Sequence, residues 1–509
     1  MEMLNSILLS VLVFSPLVAI LVLAFVPQQQ VGAIKQVGVL GTLLPLALAF
    51  VLFATFDYST PNLQFAEKYD WINIPLGVSQ AGEAVSLKIN YEMGVDGISM
   101  PLLVLTAIIG TLAAVASWQV KKRLKEYFIL FHVLLIGMLG VFAADNLFLF
   151  FIFFEMTLVP MFFLIGVWGY GEREQAANKF LLYNGIGSGI MLLAFILIYL
   201  LMQTMNMHEL ANSSPAIMSV LPPELRFGLF LALFIAFAIK LPVFPFHTWM
   251  LKVHVQAPPS IVMIHSGILL KMGAYGLLRM GIGFFPEEAY QFSTWLAVLG
   301  IINILYGAVL AFVQKDLKMV LAYSSISHMG IVLLGFAAMN TIGFQGAMFQ
   351  IVSHGFISAL LFFLIGVIWD RTNTSMIDDL GGLAKSMPFV SGIFLAGGMA
   401  SLGLPGMSGF ISEFLAFLGL FGNLPILAAI GALGIVLTAV YLLRAILRTT
   451  FGPTPDRYLR LADAQPMEVI PMVFLLGFII LIGVYPAILG NPMQQTLRTI
   501  VPIVTGIGG

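Results

Sequence analysis

The sequence lacks cysteine altogether and is poor in charged residues, which make up 9% of its 509 positions. The absence of cysteine excludes disulfide frameworks, thiolate zinc sites, cysteine nucleophiles and cysteine-ligated iron–sulfur clusters. Soluble domains carry about 25% charged residues, so this composition cannot cover a water-facing surface. Because 60% of the residues are hydrophobic, the chain is predicted to be a polytopic membrane protein.

An excess of positive charge is also missing. The chain has 23 Lys and Arg residues against 24 Asp and Glu residues, which gives a formal net charge of −1. Proteins that bind nucleic acid neutralise its phosphates with clustered basic residues. The composition therefore predicts no nucleic-acid partner, and the lipid bilayer is the expected surrounding of most of the chain.

Long apolar runs fill most of the sequence, and a helix needs about 20 such residues to cross the hydrocarbon. The runs predict an all-α membrane protein of about 14 transmembrane helices. They lie near 4–26, 34–56, 97–117, 128–144, 146–168, 177–202, 226–248, 258–280, 291–313, 319–338, 342–369, 388–419, 422–446 and 469–489.

The basic residues alternate between the predicted loops. Every second loop, beginning after the first span, holds 16 Lys and Arg residues, whereas the opposite set holds five. Loops rich in basic residues face the cytoplasm, so both chain termini are predicted to face outward. The long acidic segment 57–96 is then an outward-facing loop.

Two predicted spans are interrupted in similar ways. The seventh contains Pro242 and Pro245, and the twelfth contains Pro405 among three glycines. Proline removes a backbone donor, and irregular backbone at membrane depth persists only inside protein or beside a wet cavity. A pair of broken helices favours a transport site between structural repeats, although a packing kink is the alternative for either one.

The positions of the two breaks predict how the chain is divided. Each broken span is the fourth of a set of five, and an odd number of spans gives adjacent repeats inverted topology. The predicted regions are N-terminal helices with the outward loop (1–127), a first inverted repeat (128–280), a second inverted repeat (291–446) and a C-terminal helix region (447–509).

A few ionisable residues lie inside the predicted spans, where a charge costs about 2.5–3.5 kcal/mol or more. Buried acids, lysines and histidines that face one another can pass protons. We predict a polar axis for proton transfer through the middle of the bundle, to which His265, His247 and His254 are not assigned. Its members are Glu155, Lys240, Lys271, His328, His354 and Glu413.

Each of these residues also has a simpler interpretation. Lys240 is the natural counter-ion of Glu155, and moving the two together or apart would change the proton affinity of the lysine; the alternative is a static ion pair or a protonated carboxyl. Lys271 could instead extend towards an interface. Glu413 could cap a helix after the kink, and the histidines could be satisfied core residues. Arg279 is interpreted as an interface anchor.

Four separated motifs resemble the antiporter-like membrane subunits of respiratory complex I. They are Phe-Phe-Glu-Met-Thr-Leu-Val-Pro at 153–160, Ala-Phe-Ala-Ile-Lys-Leu-Pro at 236–242, Leu-Leu-Lys-Met-Gly-Ala-Tyr-Gly-Leu-Leu-Arg at 269–279 and Tyr-Ser-Ser-Ile-Ser-His-Met-Gly at 323–330. The resemblance covers most of the chain and is densest from about 145 to 420. The M type of these subunits, the counterpart of mitochondrial subunit four, is most similar, because Glu413 stands where the other types usually carry lysine.

The resemblance implies a subunit of a proton-translocating NADH:quinone oxidoreductase in the bacterial plasma membrane, driven by quinone reduction elsewhere. It implies no cofactor in this chain, with NADH, flavin, iron–sulfur clusters and quinone in partner subunits. It also implies antiporter-like neighbours and a lateral helix from subunit L as partners. Glu155 would pair with Lys240, Lys271 would be the central relay, and His328 and His354 would lead to Glu413, the site of exchange with the outside.

The chain departs from the family pattern after Trp249. There the family usually reads Leu-Pro-Asp-Ala-His, whereas residues 250–254 are Met-Leu-Lys-Val-His, which puts the role of this predicted loop in doubt. Two other functions remain open at this point. One is a sodium/proton antiporter subunit of the Mrp type, and the other is a spacer subunit with an idle polar axis.

Overall fold

The structure, a computed structural model, describes residues 7–78, 84–213 and 221–505, and this part of the chain is mostly helical. Apart from short 3₁₀ turns, its helices in chain order are α1 (Leu8–Phe25), α2 (Val31–Thr55), α3 (Ser99–Gln119), α4 (Leu124–Ala143), α5 (Leu147–Trp168), α6 (Arg173–Met202), α7 (Met207–Asn212), α8 (Pro223–Lys240), α9 (Thr248–Gln256), α10 (Pro259–Ile282), α11 (Pro286–Gln291), α12 (Ser293–Val313), α13 (Leu317–Ala337), α14 (Thr341–Thr372), α15 (Pro388–Ser401), α16 (Ser408–Asn423), α17 (Pro425–Thr450), α18 (Pro466–Val484) and α19 (Ala487–Thr505).

Among the described residues, twelve helices are long and apolar enough to cross a membrane. The prediction of about 14 spans counted two further ones. The span predicted at 388–419 is divided into α15 and α16, and the helix of the span predicted at 226–248 ends at Lys240, before α9 begins at Thr248. Pro242 and Pro405 lie in the two interruptions, as predicted. Gly403 and Gly406 adopt φ of 79° and 89°, a conformation that favours glycine, and they end α15 sharply before α16 begins.

The acidic segment 57–96, predicted to be an outward-facing loop, is not a plain loop. Strands β1 (Gln64–Val78) and β2 (Ala84–Val95) form an antiparallel hairpin in which Tyr69 pairs with Tyr91, so the chain is not helical throughout. At one end of the hairpin, the buried Glu67 accepts a hydrogen bond of 2.8 Å from the backbone amide of Leu9. A carboxylate satisfies the free amides at a helix N-terminus, and Glu67 thereby fixes the hairpin to α1.

The centre of the bundle is formed by α3, α10, α13 and α14, whose residues are almost entirely buried. The outer helices expose large apolar side chains, for example Leu182 and Leu193 on α6 and Ile426 and Val436 on α17. A continuous apolar exterior of this kind requires lipid or membrane partners. The chain is therefore a multi-pass membrane protein, and any charged residue on α10, α13 or α14 lies deep inside it.

A cluster of charges holds the end of α10 that lies beside the hairpin. Arg279 forms an ion pair with the buried Asp96, which follows β2, and Asp96 lies 3.7 Å from His208 on α7. His208 also contacts Asp145, between α4 and α5, at 2.5 Å. The interpretation of Arg279 as an interface anchor is therefore incomplete, because its guanidinium pairs with Asp96 and is linked through Asp96 and His208 to α7 and to Asp145.

The charge cluster of Asp96, Asp145, His208 and Arg279 predicts that the stability of the fold depends on pH. Burial disfavours the charged form of His208, but hydrogen bonds with Asp145 and Asp96 outweigh it and raise the pKa of His208 to about 9. A raised pKa stabilises the fold fully below the unfolded value of about 6.5, and this stabilisation is lost as the pH rises through about 9. We expect the thermal unfolding midpoint to fall across this window, and His208→Gln to remove that fall. An unchanged fall in the variant would assign it to another group.

Candidate functional site

Lys271 lies at the middle of α10 and is completely buried. Its Nζ is 2.7 Å from the carbonyl oxygen of Ser266 and 2.7 Å from Nδ1 of His354 on α14. The turn that contains Ser266 is π-helical, over His265–Leu269, and such turns often occur at functional sites. Lys271 therefore does not extend to an interface, and it joins α10 to α14 inside the bundle.

His328 on α13 continues the polar contacts beyond His354. The two imidazole rings have centroids 5.4 Å apart. His328 Nε2 lies 3.1 Å from the hydroxyl of Ser401, the last residue of α15, and its Nδ1 lies 3.1 Å from the side-chain amide of Gln350. The ring is thus held in place at the helix break, where α15 ends.

Glu413 on α16 lies next in the series. Its Oε1 is 3.7 Å from Nδ1 of His328, and the residue is only 6% exposed. A small cavity is lined by Glu413, His328 and His354. Glu413 also borders a more open groove whose wall includes Phe410 and Phe414. The carboxyl group therefore separates the buried interior from an open surface.

Several small polar residues of this site were not predicted. Ser412 donates a hydrogen bond of 2.5 Å to Gln350, and the hydroxyls of Ser353 and Ser408 are 2.7 Å apart. A signal for them is present in the sequence: Gln350, Ser353 and His354 follow at spacings of three and four on α14. Polar residues at helical spacing inside an apolar run share one buried face.

Lys240 and Glu155 are close but not in direct contact. Lys240 is 2% exposed, and its Nζ lies over the rings of Phe154, at 5.0 Å, and Phe180, at 5.6 Å. Glu155 follows Phe154 in the chain, and its Oε1 has no hydrogen-bond partner among the described residues. Lys240 therefore lies beside the residue that precedes Glu155, but no hydrogen bond or ion pair joins the two charged groups in the described part of the chain.

The three histidines without an assigned role occupy defined positions. His247 contacts the hydroxyl of Tyr306 at 3.1 Å. His254 lies in α9, and its Nε2 is 2.9 Å from Nδ1 of His265 on α10, with both residues buried. The prediction that residues 250–254 form a loop was wrong: they are helical, Met250 faces inward, and Lys252 faces outward, 2.6 Å from Glu172.

The geometry brings four of the six predicted residues into one buried series, namely Lys271, His354, His328 and Glu413. Imidazole can accept a proton at one nitrogen and release one at the other. The cavity beside His328 is also lined by His354 and Glu413, so these three side chains face one another across it. In the described part of the chain, no group of three or more His, Asp or Glu residues could hold a metal ion. The arrangement is suited to moving protons between buried bases.

Comparison with known proteins identifies the family of the chain. Residues 144–438 match the family model described as NADH:quinone oxidoreductase/Mrp antiporter, TM, and residues 76–142 match the amino terminus of NADH-ubiquinone oxidoreductase chain 4. The chain is 41% identical to NAD(P)H-quinone oxidoreductase chain 4 of Gloeobacter violaceus, over 94% of this chain and 89% of that protein.

Two solved structures share the fold. One is a chain of respiratory complex I from Thermus thermophilus, with 28% identity, a TM-score of 0.84 and coverage of 97% of this chain and 99% of that one. The other, from the Mrp complex of Dietzia sp. DQ12-45-1b, has 21% identity, a TM-score of 0.83 and 99% coverage of both chains; this likeness concerns the fold alone. The chain therefore belongs to the NADH:quinone oxidoreductase/Mrp antiporter transmembrane family, within its chain 4 group.

Proposed function

We propose that this chain translocates protons as a membrane subunit of a NADH:quinone oxidoreductase, driven by quinone reduction in partner subunits. One observation carries the proposal: the buried series of bases from Lys271 to Glu413, which ends beside an open groove. The names of the relatives support the same assignment. The residues of the series act as proton donors and acceptors in sequence.

In this mechanism, the Lys271 ammonium passes a proton to Nδ1 of His354, which it already contacts at 2.7 Å. The proton moves on to His328 through the small cavity that both rings line, and then to the Glu413 carboxylate. Glu413 releases it on the side of the groove. Changes in the distance between Glu155 and Lys240 alter the electrostatic field at the start of the series, and thereby the proton affinity of the lysines.

The setting of the chain is part of the proposal. The basic loops face the cytoplasm, both termini face outward, and the bilayer is a bacterial plasma membrane. Regions 128–280 and 291–446 are inverted repeats, each with one of the two broken helices. The partners are antiporter-like subunits and a lateral helix of subunit L. NADH, flavin, iron–sulfur clusters and quinone are bound by partner subunits, and this chain itself carries no redox centre.

A sodium/proton antiporter subunit of the Mrp type is the second candidate, favoured by the similarity of fold. Two observations favour the first function over it. The relative with 41% identity is a quinone oxidoreductase chain 4. The resemblance also gives Mrp-type subunits a lysine at the position of Glu413.

Glu413→Gln tests the proposed function. The amide has nearly the shape of the carboxyl but cannot carry a proton, so we expect proton pumping by the reconstituted complex to fall about 100-fold. Pumping and quinone reduction are measured together in liposomes, with and without sodium. The matched control is Glu288→Gln, another buried carboxyl (3% exposed) that pairs with Arg226 at 3.2 Å, away from the series.

The possible results separate the three candidate functions. Lost pumping in Glu413→Gln with normal pumping in the control supports the proton-translocating subunit. Pumping that depends on sodium points to the Mrp-type antiporter. Normal pumping in an intact Glu413→Gln complex identifies this chain as a spacer and overturns the proposal.

A further inference from the structure

The interruption between α8 and α9 leaves backbone groups outside the hydrogen-bond ladder of a helix. α8 ends at Lys240 and α9 begins at Thr248, with Pro242 between them. Proline has no backbone N–H and does not continue a helix, and backbone groups at membrane depth have to be satisfied from inside the protein. The side chains that satisfy them therefore determine how the interruption is held.

One side chain of α12 satisfies two of these backbone groups. The carboxamide oxygen of Asn303 accepts a hydrogen bond of 2.8 Å from the backbone amide of Phe244, and its Nδ2 donates one of 3.3 Å to the carbonyl oxygen of Pro242. Asn303 is completely buried. Because a carboxamide carries both an acceptor and a donor, this single residue bonds to the backbone on both sides of Val243.

A second residue of α12 packs against the same stretch. The hydroxyl of Tyr306 is 3.1 Å from Nε2 of His247, and its ring centroid is 5.3 Å from that of Phe244. Asn303 and Tyr306 are three residues apart and lie on one face of α12. This face therefore contacts the interruption at several points, although α12 and α8 belong to the two different regions that are predicted to be repeats.

The interruption determines where Lys240 lies. Lys240 is the last residue of α8, two positions before Pro242. The end of α8 packs closely on α10: a Cβ atom on Gly273 would lie 2.7 Å from the backbone nitrogen of Leu241 and 3.0 Å from Cβ of Lys240. Gly273 is two residues after Lys271. A shift of the interruption would therefore move Lys240 relative to the segment of α10 that carries Lys271.

The Lys240 side chain has no polar partner that fixes it independently of its backbone. Its Nζ lies over the rings of Phe154 and Phe180, at 5.0 and 5.6 Å. Within the described ranges, its ammonium forms no hydrogen bond or ion pair. The position of the ammonium therefore depends on the end of α8, and through it on the contacts that hold the interruption.

α12 is also packed tightly against α13, the helix that carries His328. A Cβ atom on Gly300 would lie 2.9 Å from the carbonyl oxygen of Gly330, so the two backbones are in close contact. The hydroxyl of Ser327 donates a hydrogen bond of 3.1 Å to the carbonyl oxygen of Ile304. The contacts of α12 therefore connect the broken helix α8 to the helix of a later member of the series.

We propose that Asn303 is a positioning residue for Lys240. By bonding to the backbone on both sides of Val243, it sets the position of the Lys240 ammonium relative to Glu155 and Lys271. This inference rests on the proposed function, in which the distance between Glu155 and Lys240 alters the proton affinity of the lysine. Asn303 itself carries no proton in the series, and it acts only through the end of α8.

Asn303→Leu is the first test. Leucine has the same branching at Cγ but neither donor nor acceptor, so the interruption loses both bonds. We expect proton pumping by the reconstituted complex to fall about 10- to 100-fold, because a small misplacement of a reacting group has a large cost. The alkaline limb of the pH profile of pumping should also move by about one pH unit, because the proton affinity of Lys240 depends on its neighbours.

Asn303→Asp is the conservative variant. Burial favours the neutral form of a carboxyl group, and its hydroxyl and carbonyl oxygen replace the donor and the acceptor of the amide. Asn303→Asp should therefore keep most of the pumping and the original pH profile. Should Asn303→Leu prevent assembly, Asn303→Ser is measured in its place, because a serine hydroxyl is too short to reach both backbone partners.

Asn340→Leu is the matched control. Asn340, between α13 and α14, also accepts a hydrogen bond from a backbone amide, that of Gly343 at 2.8 Å, and donates one to a carbonyl, that of Gly419 at 2.9 Å. Its replacement should lower the thermal unfolding midpoint without moving the pH profile. A purely structural role for Asn303 would give the same result in Asn303→Leu.

The outcomes separate the positioning role from the proposed function. A shifted pH profile in Asn303→Leu alone, with recovery in Asn303→Asp, supports the role. An unchanged profile in the assembled variant, an equal shift in Asn340→Leu, or a loss that Asn303→Asp does not reduce would overturn it. Normal pumping in Glu413→Gln overturns the proposed function, whereas lost pumping there with an unchanged profile in Asn303→Leu overturns the positioning role alone.

Discussion

Replacing Lys271 by methionine is expected to stop proton pumping, with a loss of about 100-fold or more. Methionine has a similar length and is apolar, so it fills the buried site without strain. Among the described residues, it removes the one side chain of α10 that hydrogen-bonds to His354, and therefore the link between the π-helical turn and the two histidines. Pumping by the reconstituted complex and retention of the chain in that complex are the two measurements.

Lys318 provides the matched control for this variant. It is also a buried lysine (7% exposed), but its ammonium lies over the rings of Tyr170 and Trp369, at 4.9 and 5.1 Å, away from the series. Lys318→Met should keep its pumping. Equal losses in the two variants would mean that any buried lysine is needed for assembly, which contradicts a special role for Lys271.

Replacing Arg279 by methionine is expected to give the largest loss of stability, about 3–5 kcal/mol, the usual cost of breaking a buried ion pair. Asp96, which is 1% exposed, would lose its main counter-charge. Although burial opposes its ionisation, Arg279 and His208 hold the pKa of this carboxyl well below its ordinary value. The thermal unfolding midpoint of the chain in the detergent-solubilised complex measures the effect.

Two comparisons make this prediction specific. The double variant Arg279→Met/Asp96→Asn should recover much of the lost stability, because it leaves no unpaired charge and keeps an oxygen for the amides of Ile98 and Ser99. The exposed pair of Lys252 and Glu172, 43% and 54% accessible, should contribute less than about 1 kcal/mol, so Lys252→Met should hardly change the midpoint. Similar losses in Lys252→Met and Arg279→Met would contradict the argument from burial.

Local features of the sequence predicted much of the fold. Apolar runs predicted the long helices, and Pro242 and Pro405 predicted the two interruptions, because a missing backbone donor has the same effect in any context. Lys271, His328 and Glu413 were recognised because a charge in an apolar run is costly wherever the run packs. These are properties of single residues and their immediate neighbours.

Contacts between distant parts of the chain could not be predicted in this way. Arg279 and Asp96 are far apart in sequence, and the pairing of His254 with His265 depends on how α9 turns back against α10. The position of Lys240 over the ring of Phe154, next to Glu155, depends on how the helices pack, which local pattern does not reveal. The hairpin was not predicted because the many charged residues of the segment 57–96 are typical of a loop. They obscure the alternation of apolar and polar residues along the two strands.

The two π-helical turns of α10 have a mechanical consequence. They cover His265–Leu269 and Leu277–Ile282, and the seven residues of ordinary helix between them, Leu270–Gly276, carry Lys271. π-helical turns often occur at functional sites, and a change in the winding of either turn would rotate this short segment relative to the end that Arg279 fixes through Asp96. A small rotation of the segment would move the Lys271 ammonium towards or away from His354 without displacing the surrounding helices.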